Sequence, residues 1–533
     1  MSPIIRREST MALCVAAALI AALDGCPTPP VQPVEPANVL PIAIGMEYAF
    51  PGLAADFAQL RAPAVKFMPD LIGWGEMQSS ATASINFSTL DRLVREYQQA
   101  GFRECMIGLK SESAWASVQP FPLEPSPNLA PKPEYMDDYE AWVGAVVERY
   151  DGDGIDDFAD LEHPLRYYEI GVEFSSFEPE PVEDYVAMLE VAYRAAHNAC
   201  SDVIVMHAAI LAANAFIGDP GPGEYEASFA AVDERIMFHS LDDIRAILDR
   251  PDLFDAVNFH ALSYPDEIEA TVEWLNYEMA QRGYTKPLVI SDTGATSFIG
   301  WGPATFCDGT PDQMGLMLPP ATEADRCRLA AYFQQLVAGD QATTAWVRGF
   351  CAEEMIKGVI VAAQQGVIFF NTAFMEDLTP MQIPLFRASA GNAPWGGMVE
   401  GVIHWFRQEH SVRTFYPLYY ALQQLVDHLD GCDTVERVAT ESTVRLYALS
   451  NSADASAVVE WIAWYAPTEL FLPEDPRPET EFSFNETDAD IAIEALITGV
   501  GQTEPDTVTS AGPAPHVLTL TPTPVFIMPS TAR

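Results

Sequence analysis

The sequence predicts a (β/α)8 TIM barrel followed by a small antiparallel β-sandwich. Three observations lead there. Between residues 41 and 430, short apolar runs of strand length alternate with helical stretches, and eight such runs can be counted. Two of them, RYYEIGVEF (166–174) and KPLVISDTG (286–294), are nearly continuous in apolar character, as strands buried on both faces must be. Each ends in a carboxylate, Glu173 and Asp292. After Gly431 the pattern changes to short strand-like runs separated by Pro, Asp, Asn and Gly. A doubly wound sheet is the competing architecture, but it would carry a Gly-rich phosphate loop after its first strand, and none is present.

Taken in order, residues 41–47 form the first strand and 64–67 the second, which leads to Trp74, Glu76 and Gln78. Residues 87–100 read as an amphipathic helix with Ser88 as its cap. The third strand, 105–110, is followed by a loop with Trp115; 135–150 is helical, and 166–173 is the fourth strand. The helix at 182–199 has acids in its first turn, where the macrodipole favours them. Strands at 202–207, 256–260, 287–291 and 366–371 complete the eight, with helices at 241–248, 270–282 and two within 321–365. Residues 297–320 are rich in Gly and Pro and long enough for a rim loop or lid. A last helix at 417–428 closes the outer ring. Seven further strands are expected at 435–438, 444–449, 458–465, 470–472, 491–496, 517–520 and 525–528.

Composition sets the chemistry these elements can serve. Of 533 residues, 49% are hydrophobic, enough for a large core. There are 28 Lys and Arg against 76 Asp and Glu, a net charge of −48. Such a surface repels nucleic acid, anionic membranes and strongly anionic ligands. Arg6 and Arg7 precede an apolar stretch, 11–22, too short to span a membrane as a mature helix. Leu23-Asp24-Gly25-Cys26 then resembles a bacterial lipoprotein signal with Cys26 as the lipidated residue, although Asp24 departs from the pattern. The reading is an exported cell-envelope lipoprotein, touching membrane only through a lipid anchor; a plainly secreted protein is the alternative. The expected division is 1–26 signal, 27–40 Pro-rich linker, 41–430 barrel and 431–533 sandwich. In an exported compartment Cys307 is expected to bridge to Cys327 or Cys351, while Cys105 reads as a core residue.

Several polar residues invite a role. Glu173 reads either as a hydrated or ion-paired charge past a strand end, or as a general acid at the carboxyl rim of the barrel. DGDGIDD (151–157) offers Asp151, Asp153, Asp156 and Asp157 to a hard cation such as calcium and resembles thrombospondin-type calcium loops; a solvated acidic turn is the alternative. Glu47, Glu76 and Glu112 fall near the ends of strands one to three, His207 ends strand five, and Glu376 and Asp377 follow strand eight.

Several segments in the same order resemble clan A glycoside hydrolases, in particular the family 39 type and related family 5 enzymes. These are WGEMQSSATASINFSTLDRLVREYQQAGF at the second strand, YYEIGVEF at the fourth, FDAVNFHALSY at the sixth, KPLVISDTG at the seventh, FYPLYYAL in the last helix and LTLTPTPVFI in the sandwich. The resemblance implies a carbohydrate substrate with no required cofactor, a structural calcium aside. Glu173 would be the general acid/base and Asp292 the nucleophile. Retention needs carboxyl groups about 5–5.5 Å apart, and inversion ~6.5–9.5 Å. His260 and Tyr264 would orient sugar hydroxyls or the nucleophile, Asn371 would lie beside them, and Trp74 and Trp115 would provide stacking surfaces. The motifs depart from the family's: Val172 stands for Asn, Asp292 for Glu, and IFFN lacks the usual Trp. The expectation is hydrolysis of a neutral glycan or glycoside; the alternative is a surface lipoprotein that binds glycans or only supports structure. The sandwich is expected to brace the barrel.

Overall fold

The computed structural model describes residues 33–118, 128–212, 215–232, 239–262, 264–294, 322–372, 374–377, 395–440, 443–453 and 459–530. Cys26, Cys307 and the 297–320 loop lie outside these residues. Val34–Arg533 make one compact unit.

Eight parallel strands form the barrel: β1 (Ala43–Met46), β2 (Ala64–Lys66), β3 (Glu104–Leu109), β4 (Tyr167–Glu173), β5 (Ile204–Leu211), β6 (Val257–Ala261), β7 (Leu288–Thr293) and β8 (Phe369–Thr372). They pair in the order β1-β8-β7-β6-β5-β4-β3-β2. A single bridge from Ala49 to Phe67 joins the first strand to the second and nearly closes the ring. The helices α1 (Ser88–Ala100), α2 (Met136–Arg149), α3 (Val182–Ala199), α4 (Leu241–Leu248), α5 (Pro265–Gln281), α6 (Arg326–Ala338), α7 (Gln341–Gln364) and α8 (Pro417–Leu429) belong to the connections. Helices outside and a filled interior leave the strands buried on both faces, which is why their sequences are apolar runs. Ser88 does not cap α1: its own N–H donates to Asn86 Oδ1 at 3.1 Å, so the Asn one residue before the N-cap does that work. Among the described residues no helix is long and apolar enough to cross a membrane.

The interior is layered. Ala64, Met106, Met206, Ala256, Val289 and Phe369 fill the end where the strands begin. Two residues further along, the same inward-facing positions turn polar, with Lys66, Glu169, Asn258, Ser291 and Asn371, all fully buried. Gly45 belongs to this layer because a Cβ there would lie 2.1 Å from Asn371 Oδ1.

A hairpin follows β8, made of β9 (Val399–His404) and β10 (Glu409–Phe415). It was not expected, since no Asn-Gly or Asp-Gly turn marks it. The C-terminal strands are β11 (Thr434–Arg437), β12 (Val444–Ser450), β13 (Glu460–Tyr465), β14 (Thr480–Phe484), β15 (Ile491–Ala495), β16 (Thr507–Ser510), β17 (His516–Leu520) and β18 (Val525–Pro529). One six-stranded sheet runs β11-β12-β13-β18-β15-β16, and β14 pairs with β17. Leu446, Trp461 and Ile527 from the first meet Phe484, Leu518 and Leu520 from the second in one core, the two-layer arrangement of a sandwich. The expected strand at 470–472 is absent; β14, which buries Phe484 in this core, and β16, which is polar and exposed, were not expected.

Polar contacts fasten this part to the barrel. His428 on α8 places Nδ1 2.7 Å from Glu460 and Nε2 3.1 Å from Glu494, and its ring stacks on Phe526 at 3.8 Å. Arg445 reaches Asp266 at 3.0 Å, and Arg477 reaches Glu353 at 2.5 Å. Burial works against a charged His428, but the two carboxylates outweigh it and hold its pKa above the ordinary value. A raised pKa in the folded chain means stabilisation that is complete below about pH 6.5 and is lost as pH rises through the folded value. The melting temperature of the chain should therefore fall across that window, and His428→Gln should flatten the slope. An unchanged slope in the variant would remove His428 from the account.

Candidate active site

Two local irregularities aim the carboxylates. In β7, Ile290 pairs with Phe259 but Asp292 pairs with the next residue, His260, so Ser291 is an extra residue in the ladder. Strict alternation would send Ser291 and Asp292 to opposite faces; the bulge lets both reach the mouth of the barrel. In β4, Ile170 pairs with His207 and Glu173 with Ala209, leaving one extra residue on the β4 side. Gly171, at φ +89°, supplies the left-handed backbone this needs, and Glu178 Oε1 accepts the N–H of Val172 at 2.7 Å.

The side chains then connect without interruption. Glu173 Oε2 lies 2.7 Å from His260 Nδ1, and His260 Nε2 lies 3.1 Å from Ser291 Oγ. Ser291 Oγ donates to Glu169 Oε1 at 2.8 Å, and Asn258 Nδ2 donates to the same oxygen at 2.7 Å. Lys66 Nζ is 2.8 Å from Glu169 Oε2, 3.3 Å from Glu47 Oε2, and donates to the Ser291 carbonyl at 3.1 Å. The Tyr48 hydroxyl donates to Asp292 Oδ2 at 3.0 Å. Because the Ser291 proton is committed to Glu169, His260 Nε2 must be the donor to Ser291. One proton is then shared between His260 Nδ1 and Glu173.

Burial opposes the charge of Lys66, yet Glu169 and Glu47 more than compensate, and its pKa stands above the ordinary lysine value. Burial, followed by the nearness of Asp292, pushes Glu47 well above the usual carboxylate range. The Tyr48 hydroxyl is raised by burial and by Asp292. His207 is buried and held neutral, its pKa lowered to about 4 by desolvation. It packs edge-on to Phe254, and its Nε2 accepts the backbone N–H of Asn258 at 3.3 Å.

The structure thus gathers Glu173, Asp292 and His260, with Asn371 beneath them. Asn371 is fully buried and donates to the Ser291 carbonyl at 3.1 Å, so it supports the strand and does not line a cleft. Trp74 is 0% exposed, packed on Trp115, Tyr139 and Trp142. A ring with no open face cannot stack on a ligand, and the expected role is corrected to a core residue. Trp115 is half-buried, with Nε1 donating to the Gln78 carbonyl. Tyr264 stands at the start of α5 and lines a small cavity, about 110 Å³, with Phe350, Trp464 and Phe471. It is turned toward the sandwich, not grouped with Asp292. Asp377 is held by Arg348 at 2.6 Å, and Glu376 by His410 at 2.5 Å, so neither is a spare carboxylate for the Asp292 position. Glu112 lies near Lys110.

At 151–157, Asp151, Asp153 and Asp157 bring ligand oxygens within 4.8 Å of one another, and Asp156 stands outside the group. The Asp157 oxygens accept from Gly152 and Gly154 at 3.0 and 2.7 Å. Cys327 is disulfide-bonded. Cys351 is a free thiol, which excludes one of the two bridges expected for Cys307, and Cys105 is a buried thiol as expected.

Lys66, Glu169, Asn258, Ser291 and Tyr48 were missed. The signal was there: Lys66 closes the strand AVK, and Glu169 interrupts an apolar strand four residues before Glu173. A lone charge inside a doubly buried strand demands an opposite charge on another inward position. A cleft of about 830 Å³ opens from Tyr48 and is walled by Met68, Asp70, Glu76, Phe374 and Trp405.

No family model matches the chain, and no curated protein matches it. Solved structures do. A family 39 glycoside hydrolase from Bacteroides cellulosilyticus WH2 superposes with a TM-score of 0.54 at 13% identity, over 92% of this chain and 81% of that one. A glucosidase from Croceicoccus marinus gives 0.50 at 12%, over 93% and 96%. A monomeric β-xylosidase from Caulobacter crescentus CB15 gives 0.50 at 12%, over 94% and 98%. At these identities the likeness is one of fold.

Proposed function

We propose that this chain is an exported glycoside hydrolase of the clan A, family 39-like type, with altered motifs. In this reading it cleaves the O-glycosidic bond of a neutral glycan or glycoside. Glu173 protonates the leaving oxygen and later activates water, and Asp292 is the nucleophile. The observation that carries the reading is the buried polar chain from Glu173 through His260, Ser291, Glu169 and Lys66 to Glu47, beside Asp292. It is a heavy concentration of charge for a barrel mouth, and such an arrangement is retained where it does chemistry.

The proton shared by Glu173 and His260 is the one the leaving group would receive. Tyr48 fixes Asp292 Oδ2, leaving Oδ1 without a donor among the described residues. The bulge at Ser291 favours a role for the shorter Asp side chain. Val172 offers a sugar neither a polar side chain nor its N–H, which Glu178 already takes. The net charge of −48 and the acids along the cleft favour an uncharged substrate.

The test is a panel of aryl glycosides of both anomeric configurations. Phenol release by the full chain, lost in Glu173→Gln, is the expected result; inertness of the unaltered chain across the panel removes the hydrolase reading. The lipid anchor at Cys26 belongs to the same proposal. So does a structural calcium at Asp151, Asp153 and Asp157, which would need further oxygens from backbone and water. A chelator should then lower the melting temperature and added calcium restore it; indifference to both discards the ion.

A further inference from the structure

Glu47 is the group in this site that the proposed reaction leaves without a task. It follows β1 directly, is 0% exposed, and sits at the barrel mouth. Apart from the Lys66 ammonium 3.3 Å from Oε2, neither of its oxygens makes a hydrogen bond among the described residues, and Asp292 Oδ1 is equally unserved. Two carboxyl groups that face each other with no donor between them are stable only if one of them carries a proton.

We propose that Glu47 is a positioning residue for Asp292: a neutral carboxylic acid that donates its proton in a hydrogen bond to the Asp292 carboxylate. The inference rests on the role proposed above for Asp292.

The groups facing Glu47 decide which partner keeps the proton. Lys66 on β2 favours a charged Glu47, but its Nζ lies closer to Glu169, at 2.8 Å against 3.3 Å. Glu169 on β4 adds repulsion, and Asp292 on β7 adds more. Tyr48 already donates to Asp292 and so stabilises the anion there, not on Glu47. Asp292 is also the more exposed of the two, at 7% against 0%. Burial, then Asp292, raises the Glu47 pKa well above the usual carboxylate range, in agreement with this assignment. Asp292 then has two O–H donors, Tyr48 and Glu47, which fix its orientation. Loss of the Glu47 proton at high pH would replace a donor with a second negative charge.

Infrared difference spectroscopy of the full chain, unaltered minus Glu47→Gln, tests this without any substrate. At neutral pH the difference should contain the carbonyl band of a protonated carboxyl; carboxylate bands alone would overturn the proposal. Should Glu47→Gln fail to fold, Asp292→Asn serves instead. It removes the neighbouring charge, so a protonated-carboxyl band should titrate at lower pH than in the unaltered chain, and no moving band would overturn the proposal. In aryl glycoside kinetics, Glu47→Gln keeps an N–H donor and should retain kcat within ~10-fold. Glu47→Ala should lose about 10²-fold, the cost of a misplaced nucleophile. Inertness of the unaltered chain on every glycoside, with the infrared band present, would instead remove the hydrolase reading and leave the carboxyl pair standing.

Discussion

Glu173→Gln should lower kcat/KM on phenyl glycosides by about 10²–10⁴-fold, the usual contribution of a positioned general acid. The amide is close in shape to the carboxyl group, so the barrel should survive; what disappears is the proton shared with His260 Nδ1 across 2.7 Å. The size of the loss should depend on the leaving group. A nitrophenolate departs with little protonation, so its glycosides should lose less than those of unsubstituted phenol. That gradient separates an acid from a merely structural residue, because structural damage would slow all leaving groups alike. A uniform loss across the series would mean that Glu173 is not the acid.

Lys66→Met should destabilise the chain by about 3–5 kcal/mol, the effect of leaving a buried charge without its partner. Lys66 is 0% exposed and lies within 3.3 Å of two carboxyl groups, those of Glu169 and Glu47. Its removal strands Glu169 as an anion between the Ser291 hydroxyl and the Asn258 amide. The defect should be smallest in acid. A carboxyl whose folded pKa is raised binds its proton more tightly when folded, so its contribution is favourable below the unfolded value and is lost as pH rises through the folded one. The gap in melting temperature between the variant and the unaltered chain should widen from about pH 4 upward. Adding Glu169→Gln should recover part of the loss at neutral pH, because the two sites share one interaction. Urea unfolding at several pH values measures all three effects, and a variant as stable as the unaltered chain at neutral pH would mean that the ion pair carries no weight.

Much of this architecture is legible in the amino acids. Eight apolar runs in alternation with helices specify the barrel, since a strand covered on both sides has no polar face to offer. Glu173 and Asp292 could be picked out because a carboxylate at the tip of such a strand is conspicuous. His260 lay on the matching strand and does join them. Trp74 and Tyr264 were misread for one reason. Their place in the sequence, near strand ends, says nothing about which way a short helix or cap turns the side chain. Trp74 turned inward onto three aromatic rings, and Tyr264 toward the C-terminal strands.

The sequence alone determined the number and order of the eight barrel strands, the acids at two of their ends, the change of period after Gly431 and the acidity that disfavours anionic ligands. Only the tertiary structure decided that Lys66, Glu169 and Glu47 join those acids in one buried network, and that extra residues in β4 and β7 aim Glu173 and Asp292 into the same mouth. The physical reason is range. Hydrophobic period is a local property that a short window records, whereas the partner of a buried charge and the register of a bulge are set by strands that meet only when the ring closes.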